Sequence, residues 1–82
     1  MIKVYSKAGC PQCESAKRLL DEWNIEYEVI RIDLDNDARN FLLGEGHRSV
    51  PQLYVGDKLL VEGGFPALRM MSSEDFKGKI NE

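Results

Sequence analysis

The sequence lacks the features that mark several large classes of protein. It has 82 residues with one histidine and two cysteines, and eleven basic residues against fourteen acidic ones give a formal net charge of −3. That balance supplies no basic field for nucleic acid or for an anionic membrane surface. No apolar run approaches the roughly 20 residues that a membrane span needs. These absences predict one small domain, residues 1–82, with neither nucleic acid nor membrane as a partner.

Cysteine is too scarce, and its two copies too close together, for a disulfide scaffold. Small secreted scaffolds carry several cysteines that bridge distant segments, whereas Cys10 and Cys13 enclose only two residues. A disulfide stabilises a fold less when it closes a shorter loop. The opening residues MIKVYSKAG are also too few and too polar for a secretory signal. We therefore expect a monomeric cytoplasmic protein whose cysteines serve chemistry.

Four short segments rich in β-branched and aromatic residues predict strands, namely IKVYS, YEVIRI, QLYV and KLLVE. A helical pattern separates the first two, so they should be parallel and joined by a right-handed crossover. The last two flank Gly56-Asp57, which predicts a two-residue hairpin. Val29 and Ile30 are adjacent and both apolar, which predicts that the second strand is covered on both faces.

Helical patterns fill the remaining segments. Apolar spacing predicts a helix over Pro11–Trp23 and a shorter one over Asp33–Leu43, with Gly44 as its C-terminal stop. Pro66 can open a short helix, and the serines at 72 and 73 can cap a last one that runs to about residue 79. The order β-α-β-α-β-β-α predicts an α/β fold with a mixed four-stranded sheet flanked by helices.

The stretch YSKAGCPQC places both thiols where the first helix begins. Cys10 is expected at the N-cap, where unpaired backbone N–H groups and the helix dipole favour a thiolate over a thiol. Cys13 follows one turn later on the apolar face, so it should be more buried and less ionised. This asymmetry predicts that Cys10 attacks a substrate disulfide and that Cys13 then resolves the mixed disulfide.

Other uses of the two cysteines have weaker support. A zinc site usually needs four nitrogen or sulfur ligands, and His47 is the only other nitrogen or sulfur ligand of this kind, so no metal site is expected. A structural staple and a pair of inert thiols are the remaining alternatives. A Cys-x-x-Cys beside a βαβ pattern is typical of a redox motif. His47 is interpreted as a surface loop residue, because the cysteine exchange needs no further base.

The sequence resembles the glutaredoxin family over nearly its whole length. VYSKAGCPQC is similar to the family's first strand, lysine and Cys-Pro-x-Cys site, and HRSVPQLYVGDKLLVEGGF resembles its Ser/Thr-Val-Pro segment, hairpin and Gly-Gly pair. The resemblance implies a thioredoxin-like fold and a thiol–disulfide oxidoreductase. Its implied substrates are disulfide-containing proteins, ribonucleotide reductase among them, and glutathione mixed disulfides. It implies no tightly bound cofactor, with glutathione as the usual reductant.

The family also includes a non-enzymatic alternative, in which the same cysteines hold an iron–sulfur cluster between two chains. Pro11 argues mildly against it, because a proline after the first cysteine can obstruct cluster assembly in the family. A coloured dimer would favour the cluster module, and a colourless monomer that takes up two electrons would favour the reductase.

The resemblance further implies a set of substrate contacts. Pro51 matches the family's cis-proline beside the active site. Val50 would offer its backbone N–H and C=O to an extended substrate as one more strand pairing. Lys7 matches the lysine that supports glutathione binding. The full set of implied contacts with substrate or glutathione is Lys7, Pro11, Gln12, Ser49, Val50, Pro51, Gly63, Gly64 and Phe65.

Two features depart from the pattern of the glutathione-using members. Gln12 stands where many have Tyr, and Phe65-Pro66 stands where many have a Cys-Asp pair. Pro66 has no backbone N–H, so one donor to the glutamyl end of glutathione is absent. Gln12, Arg48 and Gly64-Phe65 instead resemble the glutaredoxin-like redoxins that serve ribonucleotide reductase. That branch is generally recycled by thioredoxin reductase, which is therefore the alternative electron donor.

Overall fold

The structure is a computed structural model that describes residues 1–81, so the last residue of the predicted domain lies outside the described residues. Its elements follow the predicted order, and the short helix expected near Pro66 is present as an additional element before the last one. The bounds are β1 Ile2–Ser6, α1 Pro11–Glu22, β2 Tyr27–Arg31, α2 Asn36–Gly44, β3 Gln52–Val55, β4 Lys58–Leu59, α3 Gly64–Leu68 and α4 Ser73–Ile80.

The four strands form one mixed sheet in the order β2-β1-β3-β4. Strand β1 pairs parallel with β2 and antiparallel with β3, and β3 and β4 form the predicted hairpin, in which Val55 faces Lys58. Gly56 opens that turn with φ +61°, a conformation in which glycine is free of Cβ strain. Because β1 is an inner strand, the cysteine loop that follows it lies near the middle of the sheet, at the C-terminal end of β1.

The sheet separates two apolar clusters because successive side chains of a strand point to opposite faces. Val4 packs in the larger cluster, with Leu20, Leu53 and Phe76 among its buried members. The next residue, Tyr5, packs in the second cluster, whose buried members are Tyr5, Cys10, Cys13, Leu42, Val50 and Tyr54. Both cysteines therefore belong to the core cluster that α2 covers.

Strand β2 corrects one expectation from the sequence. It is an edge strand, and the Val29 side chain is 39% exposed, so the prediction of cover on both faces is wrong. The predicted strand KLLVE is also shortened to Lys58–Leu59. Leu60 and Val61 lie beyond the strand and are buried in the larger cluster, although the Leu60 N–H still donates to the Leu53 carbonyl oxygen of β3 at 2.9 Å.

Helix α2 begins three residues later than predicted. The Asp33 carboxylate accepts hydrogen bonds from the Arg31 guanidinium at 2.7 and 2.6 Å, and it therefore belongs to a turn. Asp35 is the N-cap, and its side chain accepts from the Ala38 N–H at 3.0 Å. The helix ends at Gly44, the predicted stop, but Gly44 is the last helical residue and the positive φ of +88° occurs two residues later, at Gly46.

Candidate active site

The first helix holds Cys10 at its N-cap, as the sequence predicts. The Cys10 backbone is extended, and its Sγ accepts a hydrogen bond from the Cys13 N–H at 3.1 Å. Its carbonyl oxygen accepts from the Glu14 N–H at 3.2 Å, which starts the helical ladder. Cys10 and Cys13 are joined by a disulfide. An N–H aimed at Sγ stabilises negative charge there once the disulfide is reduced.

The two sulfurs differ in access. Cys10 is 9% exposed and Cys13 is 0% exposed. This is the predicted order of burial, and it follows from the position of Cys13 on the face of α1 that packs toward the sheet. Cys10 also lines a surface recess, which does not include Cys13, so Cys10 is the cysteine placed to meet a substrate.

The Val50–Pro51 peptide bond is cis, as the resemblance implies, and it lies beside the cysteines. The Val50 carbonyl oxygen is 3.8 Å from the Cys10 Sγ, a contact and not a hydrogen bond because a disulfide sulfur carries no proton. Gly64 approaches from the other side, and a Cβ placed on it would lie 3.4 Å from the Pro51 carbonyl oxygen. Three segments distant in sequence thus meet next to Cys10.

A groove of about 250 Å³ extends from this point along α2. Three exposed cations, Lys7, Arg39 and Arg48, contribute to its walls in a chain whose net charge is negative. Its complete lining is Lys7, Ile32, Arg39, Leu42, Leu43, His47, Arg48, Ser49 and Val50. Arg39 is not among the predicted residues, because nothing in the sequence shows that its face of α2 borders the cysteine loop.

A second recess lies on the other side of Lys7. It includes Cys10, Pro11 and Arg31 and has a volume of about 450 Å³. Lys7 therefore borders both depressions, and Cys10 lines the second one. Four of the nine predicted contact residues line one depression or the other, namely Lys7, Pro11, Ser49 and Val50.

The remaining predicted residues are placed less directly. Gln12 is exposed on the first turn of α1, and Gly63 is the N-cap of α3 with φ +102°. Phe65 is half-buried and packs against the larger core cluster. Neither the groove nor the recess, as found in the described residues, is lined by Gln12, Gly63 or Phe65. Pro66 is exposed and occupies the first turn of α3, as expected.

His47 corrects the interpretation as a surface residue. It lies in the predicted loop, but it is half-buried and its Nε2 is 2.6 Å from the Tyr54 hydroxyl oxygen. Tyr54 is completely buried, and burial together with the nearby Glu45 carboxylate raises the pKa of Tyr54 above its ordinary value. Sequence alone could not find the pair, because only the fold brings the α2–β3 loop over β3.

The Arg31–Asp33 ion pair contacts the loop that carries Cys10. The hydrogen bonds from the Arg31 guanidinium lower the pKa of Asp33 to about 2. The same carboxylate accepts from the Ala8 backbone N–H at 3.4 Å. Asp33 thereby links the turn after β2 to the loop that carries Cys10.

Two other kinds of site are absent from residues 1–81. No three side chains of the His, Cys, Asp or Glu type lie close enough together there to hold a metal ion. Across the same residues, each helix is too short or too polar to traverse a lipid bilayer.

Comparison with known proteins identifies the family. The glutaredoxin family model matches residues 2–60. Glutaredoxin from Ricinus communis is 38% identical over 61 residues, which are 70% of this chain and 60% of the relative. The glutaredoxin-like protein NrdH of Salmonella typhimurium is 34% identical over 56 residues, which are 68% of this chain and 69% of the relative. The match thus spans less than two thirds of the length of the plant relative.

Solved structures agree with the sequence comparisons. The NrdH-redoxin of Escherichia coli, a protein described as having a thioredoxin-like activity profile, superposes with a TM-score of 0.71 at 27% identity, covering 87% of this chain and 95% of that one. The buckwheat glutaredoxin–glutathione complex superposes with a TM-score of 0.69 at 27% identity, covering 98% and 72%. The predicted thioredoxin-like fold is confirmed. The chain belongs to the glutaredoxin family of thiol–disulfide oxidoreductases.

Proposed function

We propose that this chain is a single-domain dithiol reductase of protein disulfides, in which Cys10 is the attacking residue and Cys13 the resolving one. The observation that carries the proposal is the Cys10 N-cap, with the Cys13 N–H directed at its sulfur at 3.1 Å. The difference in burial between the two cysteines supports the division of roles. Family membership supports the reaction class.

The proposed reaction consists of two thiol–disulfide exchanges. The Cys10 thiolate attacks one sulfur of the substrate, a bond forms between them, and the other substrate sulfur leaves as a thiolate. The Cys13 thiol loses its proton and attacks the Cys10 sulfur, which releases the second substrate thiolate. The Cys10–Cys13 disulfide remains, and the substrate has gained two electrons. Its two thiolates take up the proton that Cys13 loses and one proton from solvent.

Substrate docking is proposed to use the Val50 backbone. The N–H and C=O of Val50 pair with an extended segment of substrate, which brings a substrate sulfur to Cys10. The carbonyl oxygen at 3.8 Å from Cys10 Sγ supports this position. Ser49 lines the groove and Pro11 lines the recess. Pro51 is buried and follows Val50 directly, and Gly64 allows close approach of backbone to the Pro51 carbonyl oxygen.

The groove is proposed to receive glutathione, free or in a mixed disulfide. Glutathione carries two carboxylates, and the cations Lys7, Arg39 and Arg48 face the groove next to Cys10. Coulomb attraction between exposed charges is modest and screened by salt, so this contact orients a ligand more than it holds one. The glutamyl end would extend out of the groove to Gly63, Gly64 and Phe65, where Pro66 supplies no N–H.

Two electron donors are candidates, namely glutathione and thioredoxin reductase. The relatives of this chain include both glutaredoxins and NrdH proteins. Because Pro66 has no backbone N–H to donate to glutathione, we expect glutathione to be a weak reductant of this protein. Gln12, Arg48 and Gly64-Phe65 resemble the redoxins that serve ribonucleotide reductase, and a relative named NrdH supports this. We propose ribonucleotide reductase as a protein substrate and thioredoxin reductase as the more effective donor.

The test is turnover on one disulfide protein with the two reducing systems in parallel. Reduced glutathione with glutathione reductase forms one arm, thioredoxin reductase forms the other, and NADPH consumption is measured in both. Faster turnover with thioredoxin reductase is expected. Efficient turnover with glutathione and none with thioredoxin reductase would contradict the assignment of the donor, and no turnover in either arm would contradict the function.

We propose that residues 1–82 act as one monomeric domain in the cytoplasm, without a tightly bound cofactor. Elution as a monomer on size exclusion, with no visible absorption band, is the expected result. No observation on residues 1–81 favours the alternative of a cluster-binding module.

A further inference from the structure

One side-chain hydrogen bond closes the loop that carries the Val50 backbone. His47 Nε2 lies 2.6 Å from the Tyr54 hydroxyl oxygen, and the two residues are seven positions apart in the chain. Between them lie Val50 and the cis Pro51, whose backbone adjoins Cys10. The bond therefore joins the two ends of the segment that is proposed to dock the substrate.

Both partners in this bond are themselves held by the fold. The His47 backbone N–H donates to the Leu42 carbonyl oxygen at 2.9 Å, which attaches the loop to the end of α2. Tyr54 is completely buried in β3, and its ring packs edge-on against the rings of Tyr5 and Phe41. The position of the His47 side chain is thus fixed from α2 on one side and from the sheet on the other.

Val50 and Pro51 are buried, but the part of the segment that precedes them has little other support from side chains. Arg48 and Ser49 are exposed. Within the described part of the chain, the other side-chain hydrogen bond to this segment runs from Gln52 Nε2 to the Ser49 carbonyl oxygen, at 2.9 Å. Loss of the bond to Tyr54 would therefore remove one of the two side-chain hydrogen bonds that, in residues 1–81, hold the exposed residues directly before Val50.

The Tyr54 hydroxyl can keep this bond in either tautomer of His47. It lies 3.5 Å from Glu45 Oε1, so it can donate to Glu45 while accepting from His47, or donate to His47 directly. Because burial and Glu45 raise the pKa of Tyr54, the hydroxyl keeps its proton near neutral pH. Glu45 is the titratable group that faces this pair from the end of α2.

We infer that His47 and Tyr54 are positioning residues, whose hydrogen bond holds the Val50 backbone where an extended peptide must pair to present its disulfide to Cys10. The inference rests on the proposed function, because it takes Val50 as the docking backbone. The hydrogen bond should therefore affect the rate of reaction with peptide disulfides, which must dock on the Val50 backbone. The rate of reaction with small disulfides, which reach the Cys10 sulfur without docking, should not depend on this hydrogen bond.

The experiment compares two oxidants of the fully reduced protein in stopped flow, without any reductase. Insulin is the peptide disulfide, and dithiobis-nitrobenzoate is the small one. Tyr54→Phe and His47→Phe should each lower the second-order rate constant with insulin about three- to tenfold, the range set by one net hydrogen bond. The rate constant with dithiobis-nitrobenzoate should stay unchanged.

Three variants separate positioning from general stability. Tyr5→Phe removes a buried tyrosine hydroxyl from the same aromatic cluster, and in residues 1–81 that hydroxyl forms no hydrogen bond with the loop, so both rates should match wild type. His47→Gln keeps a polar group and should recover part of the rate with insulin. The double variant Tyr54→Phe/His47→Phe should be no slower than the slower single one, because only one bond is lost.

Unchanged rates with insulin in both single variants would overturn the inference. So would an equal slowing with both oxidants, or losses that multiply in the double variant. A wild-type protein that reacts with dithiobis-nitrobenzoate but leaves insulin oxidised would refute the proposed function itself, and the inference with it.

Discussion

Gly64 offers a sharp test of how the site is built, because its backbone adopts a conformation that other residues avoid. Its φ is +67°, and it is buried beside the cis proline. Left-handed backbone costs a residue with a Cβ roughly 1–2 kcal/mol. The added Cβ of Gly64→Ala would lie 3.4 Å from the Pro51 carbonyl oxygen, which is ordinary van der Waals contact, so conformational strain is the main effect.

The expected destabilisation of Gly64→Ala is therefore about 1–2 kcal/mol. For a domain of this size, 1 kcal/mol corresponds to a shift in Tm of about 4–8 °C, so Tm should fall by about 4–16 °C. The rate of insulin reduction should fall as well, because relief of the strain would displace the backbone next to Pro51. Thermal unfolding followed by circular dichroism gives the first quantity, and stopped flow gives the second.

Gly78 provides the matched control for the same change. It lies inside α4 with negative φ, and a Cβ there would meet nothing within 4 Å. Gly78→Ala should stabilise the protein by about 0.5–1 kcal/mol, because alanine favours a helix interior over glycine, and it should leave the rate with insulin unchanged. If the two substitutions shifted Tm in the same direction, the reasoning from backbone conformation would be refuted.

Three further predictions concern the donor, the proline and the loop beneath the cysteines. Pro66→Asp should raise turnover with glutathione about tenfold or more, since a hydrogen bond to a charged group is worth about 1.5–3 kcal/mol; an unchanged rate would show that Pro66 does not limit glutathione binding. Pro51→Ala should slow insulin reduction while the protein stays folded at moderate temperature. A variant with a lowered Tm and an unchanged rate of insulin reduction would assign Pro51 to stability alone. Asp33 should titrate near pH 2 in carboxyl NMR, and Arg31→Ala should move that midpoint up toward 3.8. Because its folded pKa is lowered, the pair stabilises the fold above pH 3.8 and loses that contribution as pH falls toward 2; a midpoint that ignores Arg31→Ala would contradict this.

Local signals in the sequence are enough to predict the strands near the cysteines and the cap itself. Pro11 fixes the start of α1, so the residue types alone place Cys10 at the N-cap and Cys13 on the buried face. The turn at Gly56 likewise fixes the hairpin register. These features depend on a few neighbouring residues, which is why they can be predicted.

Features that depend on distant parts of the chain are missed or wrongly predicted. The pattern around Val29 predicts burial, but whether a strand is central or at an edge depends on the order in which strands pair. Asp33 resembles a helix start, yet Arg31 holds it in a turn and leaves the cap to Asp35. The bond between His47 and its tyrosine partner likewise exists only once the loop has folded over β3.

Trapping the mixed disulfide tests the central claim most directly. Cys13→Ser, once reduced, should form a covalent 1:1 adduct with a disulfide substrate such as insulin, because Cys10 can attack but nothing resolves the product. Intact mass spectrometry followed by peptide mapping should place the adduct on Cys10, and Cys10→Ser should form none. An adduct on Cys13 in the Cys10→Ser variant, formed faster than the one on Cys10, would contradict the account.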